Sequence, residues 1–373
     1  MIYSITSSID ATLYEEYNTK NTGLDEVIQL QKIISSSKTN QTYNSRILSK
    51  FDLTHISKSI NSGDIKDTFV STLKLYTHEA SSLPYQYSVA VYAVSQSWDM
   101  GVGRTDHNPK TTEGVSWTYR DGLNAATKWE TASAALATGT TGNLTTQTTE
   151  GGATWWTGSE ATQTFTYESS DLSLDVTGIT SAWLSGSWSG GPIVSNDGFM
   201  IKRTDSAEYD GSNYGDIYFF SKETHTIYKP KLQFAWDDFS PVTASLSQLD
   251  IGGDVFVYIK NNRDRIHVEN RERIRLVGRD RYLTKSYATE SAELTVKSLP
   301  TNSYWSIEDY QTGETIIDYD DTYTKISCDS SGNYFDLWMD QFEIDRRYKV
   351  VVKSVSGSIT KIFDNDLTFK VID

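Results

Sequence analysis

The sequence predicts an all-β protein in which a large, jelly-roll-like β-sandwich is followed by a smaller, immunoglobulin-like β-sandwich. Aromatic residues make up 12% of the chain, and together with the abundant Thr they suit a pleated, half-buried surface. Short alternating apolar runs recur along the chain, separated by turn residues, as is typical of a sandwich. A length of 373 residues exceeds one typical domain and therefore indicates two.

The first domain is predicted to span residues 1–238. Its most conspicuous strand is Val89–Val94, which is apolar on both faces and is therefore expected to be covered on both sides. The strand leads into a Ser97-Trp98-Asp99 turn, whose indole is predicted to plug the end of the core. We expect a helical turn or a loop that stops at Gly63, and a helical turn over Ile179–Trp188. The other predicted strands are Ala11–Tyr14, Glu26–Ile34, Arg46–Leu53, Thr68–Tyr76, Ala161–Tyr167, Leu172–Val176, Gly198–Lys202, Asp216–Ser221 and Pro230–Trp236.

Residues 101–160 differ in composition, because Gly, Thr, Ser and Ala dominate and tryptophans are scattered among them. A structureless loop of this length is unusual in a compact domain. We therefore predict long loops that are anchored to the sandwich by tryptophan side chains, with a short strand at Val115–Tyr119.

The second domain is predicted to span residues 239–373. The acidic residues and proline of 237–241 interrupt the strand pattern and predict a linker. About ten short strands follow at spacings typical of a sandwich. They are Asp254–Lys260, Ile266–Val268, Arg273–Val277, Glu293–Val296, Tyr304–Asp309, Thr315–Asp318, Tyr323–Cys328, Tyr334–Met339, Tyr348–Ser354 and Leu367–Ile372.

Charge and missing motifs exclude several classes of function. A formal charge of −15 argues against a nucleic-acid partner, because binding phosphates needs a basic face. No apolar run approaches a membrane span and the start lacks an export signal, so we expect synthesis in the cytoplasm and no membrane partner. The single cysteine, Cys328, permits no intrachain disulfide. The five histidines are widely spaced, and no catalytic or cofactor motif occurs, so we predict a non-enzyme without a cofactor.

The order of elements in the first domain resembles the DNRLRE type of β-sandwich, a fold similar to carbohydrate-binding modules. This resemblance covers residues 44–236. It is carried by Arg46–Leu53, Leu73–Tyr76, Val89–Trp98, Leu174–Thr177 with Trp183, Asn196–Lys202, Tyr218–Glu223 and Lys229–Leu232.

The second domain is similar to the carboxy-terminal β-domains of tailed-bacteriophage structural proteins. The similarity rests on Leu299-Pro300 with Ser303–Asp309, Thr324–Asp329 with Gly332–Phe335, and Arg347–Lys349. Together the two resemblances imply a structural or assembly protein of a phage virion, made in the host bacterial cytoplasm and placed at the neck, tail or capsid surface. They imply other virion proteins as partners.

The segment 263–281 carries the sharpest charge anomaly of the chain. Its arginines occupy odd positions while aliphatic residues occupy even ones, so strand alternation predicts an arginine face and a core face. On an acidic chain such a face favours docking onto an acidic protein surface, including another copy of the chain, through Arg–carboxylate pairs. The alternative is a solvated strand with local acidic partners. The interface candidates are Arg263, Arg265, Arg271, Arg273, Arg275, Arg279 and Arg281.

Two further groups of residues suggest ligands. Indoles can stack on sugars, so the alternative function of the chain is that of a carbohydrate-binding module that attaches to a host-surface glycan. The other interpretation of these tryptophans is structural: they hold the Gly/Thr-rich loops against the ends of the sandwich. The stacking candidates are Trp117, Trp129, Trp155, Trp156 and Trp188.

The acidic loop 204–215, together with the residue that follows it, offers oxygen ligands for Ca²⁺ but lacks the spacing of an EF-hand. A solvated turn is the alternative interpretation. The weak metal candidates are Asp205, Asp210 and Asp216.

Overall fold

The computed structural model describes residues 1–35, 41–122, 127–129, 144–145, 151–166, 171–186, 188, 194–241, 246–282 and 296–373. The described chain is nearly all β and is built of several sheets, which confirms the predicted all-β sandwich class. Most of the predicted strand Glu293–Val296 lies outside the described residues. None of the described helices combines the length and the apolar character that a membrane crossing needs.

The chain divides into two compact units. The large unit comprises residues 4–64 and 70–233, and the C-terminal unit comprises residues 1–3, 65–69 and 234–373. We predicted a single division between residues 238 and 239, whereas two N-terminal segments also belong to the C-terminal unit. The reason is visible at Met1, whose ammonium donates to the Trp236 carbonyl at 2.8 Å and to Asp238 at 2.7 Å.

The large unit contains a nine-stranded sheet in the order β10-β11-β7-β13-β4-β3-β14-β6, with β2 also paired to β4. A second sheet has the order β1-β15-β5-β12, and β8 pairs with β9. The strands are β1 (Ile2–Thr6), β2 (Ile9–Tyr14), β3 (Val27–Ser35), β4 (Gln41–Lys50), β5 (Val70–Leu75), β6 (Thr77–Ser81), β7 (Tyr87–Val94), β8 (Tyr119–Asp121), β9 (Thr127–Lys128), β10 (Leu144–Thr145), β11 (Trp155–Phe165), β12 (Leu172–Asp175), β13 (Phe199–Arg203), β14 (Gly215–Phe220) and β15 (Lys231–Ala235).

The predicted central strand is β7, which lies between β11 and β13. Val89 and its neighbours on both faces are buried, as the apolar pattern predicted. At the end of this segment the Trp98 indole Nε1 donates to the Asp197 carbonyl at 2.8 Å and the side chain is 8% exposed, so the predicted core plug is confirmed.

Three helices interrupt the strands: α1 (Thr54–Ser62), α2 (Thr177–Ser185) and α3 (Asp205–Tyr209). α1 ends at Gly63, whose φ of +80° is the left-handed conformation that favours glycine. This confirms the predicted stop. We had interpreted the α3 segment as a loop, and no strand occupies residues 115–118, so those two expectations were wrong.

The C-terminal unit has a four-stranded sheet in the order β16-β18-β22-β21 and a five-stranded sheet in the order β17-β24-β23-β19-β20. One apolar cluster fills this unit, with Trp305 stacked on Phe335 at a centroid distance of 4.8 Å. A 3-10 turn spans Met339–Gln341. The strands are β16 (Val255–Ile259), β17 (Arg265–His267), β18 (Arg271–Asp280), β19 (Asn302–Asp309), β20 (Thr315–Ile317), β21 (Ser327–Asp329), β22 (Gly332–Trp338), β23 (Arg347–Ser356) and β24 (Ile359–Ile372).

Candidate docking face

Strand alternation in β18 produces a basic face on the four-stranded sheet. Ile274 and Leu276 are buried at 4% and 1% exposure, while the arginines at odd positions stay partly or fully exposed. The antiparallel register places Arg279 opposite Phe256, Arg275 opposite Tyr334 and Arg273 opposite Asp336. We call this surface the arginine–aromatic face and define it by Phe256, Tyr258, Arg271, Arg273, Arg275, Arg279 and Tyr334.

Aromatic rings hold the guanidinium groups of this face. The Arg273 guanidinium carbon lies 4.2 Å from the Tyr334 ring centroid, and that of Arg275 lies 5.4 Å from the same centroid. Arg279 lies 5.9 Å from the Phe256 ring, which itself stacks on Tyr258. Arginine and tyrosine are enriched among the residues that dominate protein–protein binding energies, so the composition of the face is typical of a protein interface.

Two arginines of the face are also paired within the chain. Arg273 makes a bidentate contact with Asp336 at 2.8 and 3.0 Å, and Arg275 makes one with Asp329 at 2.9 Å for both bonds. These hydrogen bonds raise the pKa of both guanidinium groups, and the bond from Arg275 lowers the pKa of Asp329. The partners of both arginines lie on β21 and β22 and are not the acidic residues Asp264, Glu269, Glu272 and Asp280 that the local-partner interpretation expected. The guanidinium planes of Arg273 and Arg275 are held in fixed positions.

Of the remaining candidate arginines, Arg271 belongs to the arginine–aromatic face, whereas Arg263, Arg265 and Arg281 do not. Arg271 lies over the Trp338 ring at 4.7 Å, and Arg281 lies 3.6 Å from an Asp254 oxygen. Arg263 and Arg265 are exposed, and Arg265 belongs to β17 of the five-stranded sheet. The expectation of one continuous arginine face was wrong for these two residues, because the chain leaves one sheet and enters the other between β17 and β18.

Sequence reasoning missed the aromatic half of the face. Phe256 and Tyr258 occupy the even positions of β16, while Val255 and Val257 point into the core. The same alternation that marked the arginines was present in this strand, and it would have shown two aromatic residues on the outer side.

Three of the tryptophans proposed for sugar stacking lie inside the large unit. Trp117, Trp129 and Trp155 are 4%, 5% and 3% exposed. They join an apolar cluster with Trp98, and the Arg46 guanidinium carbon lies 4.9 Å from the Trp117 ring and 5.0 Å from the Trp155 ring. Their faces are covered by protein, so the loop-pinning interpretation describes them and an open platform does not. Trp156 and Trp188 are half-buried.

The acidic loop pairs with lysines and with an amide. Asp205 accepts from Lys202 at 2.5 Å, Asp210 accepts from Lys32 at 2.9 Å, and Asp216 accepts from the Gln29 amide at 3.3 Å. Among the described residues no group of three or more His, Cys, Asp or Glu side chains is arranged to hold a metal ion. The three aspartates were candidates because their spacing offered oxygen ligands, whereas the fold uses two of them as partners for buried cations.

Beneath α3 lies a cluster of buried charges that the sequence did not reveal. Arg46 makes bidentate bonds to Glu208 at 3.0 and 2.9 Å, and Lys202 donates to the same carboxylate at 2.7 Å. All three side chains are at most 1% exposed. Burial alone would raise the pKa of Glu208, but the two cations outweigh it and hold the pKa below its ordinary value. We call Arg46, Lys202 and Glu208 the buried charge cluster.

Fold and face together define a class: an all-β protein of two units that presents an arginine–aromatic sheet surface. No family model matches the chain, and no curated protein is similar to it at a significant level. Among solved structures the chain is compared with a DUF4785 family protein from Legionella pneumophila, at 6% sequence identity and a TM-score of 0.18. The alignment covers 100% of this chain and 62% of that protein. A TM-score this low supports no structural or functional argument.

Proposed function

We propose that the chain is a non-enzymatic structural protein of a tailed-phage virion, located at the neck, tail or capsid surface. In this proposal the chain assembles by docking its arginine–aromatic face onto an acidic surface of another virion protein or of a second copy. The observation that supports docking is the meeting of four arginines and three aromatic rings on one sheet face. The assignment to a phage particle rests on the sequence resemblance of the second domain.

The composition of the face favours a protein partner over nucleic acid. Asp329 and Asp336 lie among the arginines, so the surface carries both signs of charge rather than a continuous basic stripe. The remainder of a chain with charge −15 repels polyanions. An acidic protein surface can place its carboxylates against individual arginines of the face, because arginine and carboxylate pair with defined geometry.

A charge reversal at Arg279 tests the docking face. Arg279 contacts the Phe256 ring, so Arg279→Glu leaves the Arg273–Asp336 and Arg275–Asp329 pairs in place. We expect incorporation of the variant into particles to fall about tenfold or more, since each factor of ten corresponds to about 1.4 kcal/mol. The readout is quantitative immunoblotting of purified particles from cells that express the variant as the only copy.

The matched control is Arg265→Glu, which makes the same charge change at an exposed arginine on β17 of the other sheet. Its incorporation should equal that of the unchanged chain. Equal incorporation of both variants would show that the arginine–aromatic face does not mediate assembly. Immunogold electron microscopy of purified particles tests the virion assignment separately, and particles without label would refute it.

A further inference from the structure

The large unit contains an open cleft between a bulge of β11 and the first turn of α2. Its volume is about 360 Å³. The walls carry Ser159 and Glu160 from the bulge, Asp175 from the end of β12, Thr177 from the start of α2, and Trp188 beyond the end of that helix. An aromatic ring and several polar groups therefore converge on one concavity, which is the usual composition of a small-molecule site.

The bulge is a defined feature of the strand pairing. Trp156 pairs with Ala93 and Ala161 pairs with Val91, so the four residues 157–160 lie opposite Tyr92 alone. The Ser159 hydroxyl donates to the Trp156 carbonyl at 2.5 Å and accepts from the Ala93 amide at 2.8 Å. These bonds satisfy the backbone groups that the interrupted ladder would otherwise leave open. Bulges that redirect side chains in this way are common beside functional sites.

Both carboxylates of the cleft are held in position by neighbouring groups. Asp175 accepts from the Thr177 amide at 2.8 Å and from the Thr177 hydroxyl at 2.6 Å, and both bonds use Oδ1. Glu160 accepts from the Thr162 hydroxyl at 3.3 Å. Asp175 and Glu160 remain exposed, so their oxygens stay accessible to a ligand.

The strand that carries the bulge is tied to a neighbouring segment by one side chain, Gln163. The Gln163 amide nitrogen donates to the Asp171 carbonyl at 3.1 Å, and the Gln163 amide oxygen accepts from the Ser173 backbone at 2.8 Å. One side chain thereby joins β11 to the segment that contains β12. A site on joined strands keeps its geometry better than one on a free loop.

We propose that this cleft binds one sugar residue of a glycan, with the Trp188 indole against the apolar face of the ring and the carboxylates of Glu160 and Asp175 accepting from its hydroxyls. Hydrogen bonds to ionised carboxylates are the strong ones, and they suit the many donors of a sugar. Two carboxylates in one cleft repel an anionic ligand. The ligand class is therefore a neutral or amino sugar, and uronic or sialic acids are excluded from it.

Of the stacking candidates considered from the sequence, this site uses Trp188, whereas Trp117, Trp129 and Trp155 are buried. It is also independent of the docking face, which belongs to the C-terminal unit, so either proposal can fail without the other.

Isothermal titration calorimetry of the full chain tests the proposal with three trisaccharides of different charge: N-acetylchitotriose, chitosan trimer and trigalacturonate. We expect a dissociation constant of about 1 mM or lower for at least one of the first two, which is about −4 kcal/mol or more favourable. Trigalacturonate should bind at least about tenfold more weakly. Failure of both non-anionic probes to bind at about 10 mM, or a preference for trigalacturonate, would overturn the proposal.

Variants locate the binding. Trp188→Ala should weaken the affinity about tenfold or more, the order expected when an aromatic contact is lost. Trp156→Ala is the matched control, since Trp156 is also half-buried and lies on β11, next to the bulge. Glu160→Gln and Asp175→Asn should each weaken binding while circular dichroism stays unchanged. Unaltered affinity in Trp188→Ala, or an equal loss in Trp156→Ala, would place the sugar elsewhere. Release of reducing ends during the titration would contradict a binding site and indicate hydrolysis.

Discussion

Removing the anion from the buried charge cluster should destabilise the large unit strongly. Glu208 is the carboxylate that faces both Arg46 and Lys202, and all three side chains are buried. The substitution Glu208→Gln preserves the shape of the side chain but leaves two cations without their shared counter-charge. The perturbation therefore removes charge while packing stays almost constant.

The expected cost follows from the burial of the cluster. Deleting one partner of a buried ion pair typically costs about 3–5 kcal/mol, because the remaining charge is left desolvated. In Glu208→Gln the new amide oxygen can still accept from Arg46, which keeps the cost within that range rather than above it. For a unit of this size about 1 kcal/mol corresponds to 2–4 °C in Tm. The melting temperature should consequently fall by roughly 6–20 °C.

Differential scanning calorimetry measures this change, and Asp205→Asn provides the control. Asp205 pairs with the same Lys202 but is 62% exposed, so its removal should cost only about 0–1 kcal/mol. The pKa of Glu208 is lowered in the fold, so its contribution is present above its unfolded pKa and is lost as the pH falls through the folded pKa. The difference between the parent chain and Glu208→Gln should shrink in acid. Equal losses for the two variants, or a difference that does not depend on pH, would refute the reasoning.

Three other changes have defined outcomes. Asp10 is buried, and desolvation raises its pKa to about 7, which favours its protonated form in the fold. The free energy of unfolding should therefore fall as the pH rises from about 4 through 7. In a denaturant series at pH 8, Asp10→Asn should be more stable than the parent chain by roughly 2–4 kcal/mol, because the amide does not ionise. A variant whose stability shows the same slope would contradict this assignment. Trp98→Phe deletes the bond to the Asp197 carbonyl and should cost about 1–3 kcal/mol in urea unfolding, whereas unaltered stability would show that the bond contributes nothing. Burial raises the pKa of the Cys328 thiol, so this thiol should react with a disulfide reagent only after unfolding, and fast labelling of the native chain would argue against its burial.

The strand pattern of this protein could be predicted because alternation is a local property. The central strand β7, the stop of α1 at Gly63 and the outward arginines of β18 all follow from residues within one segment. Pairing between segments is not local. The separation of β17 from β18 into different sheets depends on β17 meeting β24, far along the chain, which the spacing of arginines does not encode.

The cleft could not be predicted from the sequence for a related reason. Its bulge exists because four residues of β11 lie opposite Tyr92, and this count depends on the register between two distant strands. Glu160 lies on this bulge, whereas Asp175 ends β12, which pairs with β5 in the other sheet, so both residues reach the cleft only through the packing of distant strands. Trp188 is conspicuous as an aromatic residue, but nothing in its neighbourhood in the sequence shows that it lines the same cleft as Glu160 and Asp175.

The buried cations explain why the acidic segment 204–215 folds as it does. A helix of five residues such as α3 is not stable alone, because its few hydrogen bonds do not offset the cost of nucleation. Cations from three adjacent strands hold it instead: Lys32 of β3 donates to the Ala207 carbonyl and to Asp210, while Arg46 of β4 and Lys202 of β13 bind Glu208. Strand propensity alone places such cations on solvent-facing positions, and the spacing of the acids suggested a metal loop. The acidic residues of the segment compensate the buried cations Lys32, Arg46 and Lys202, so the segment that resembled a calcium site contains a helix held against the sheet by ion pairs.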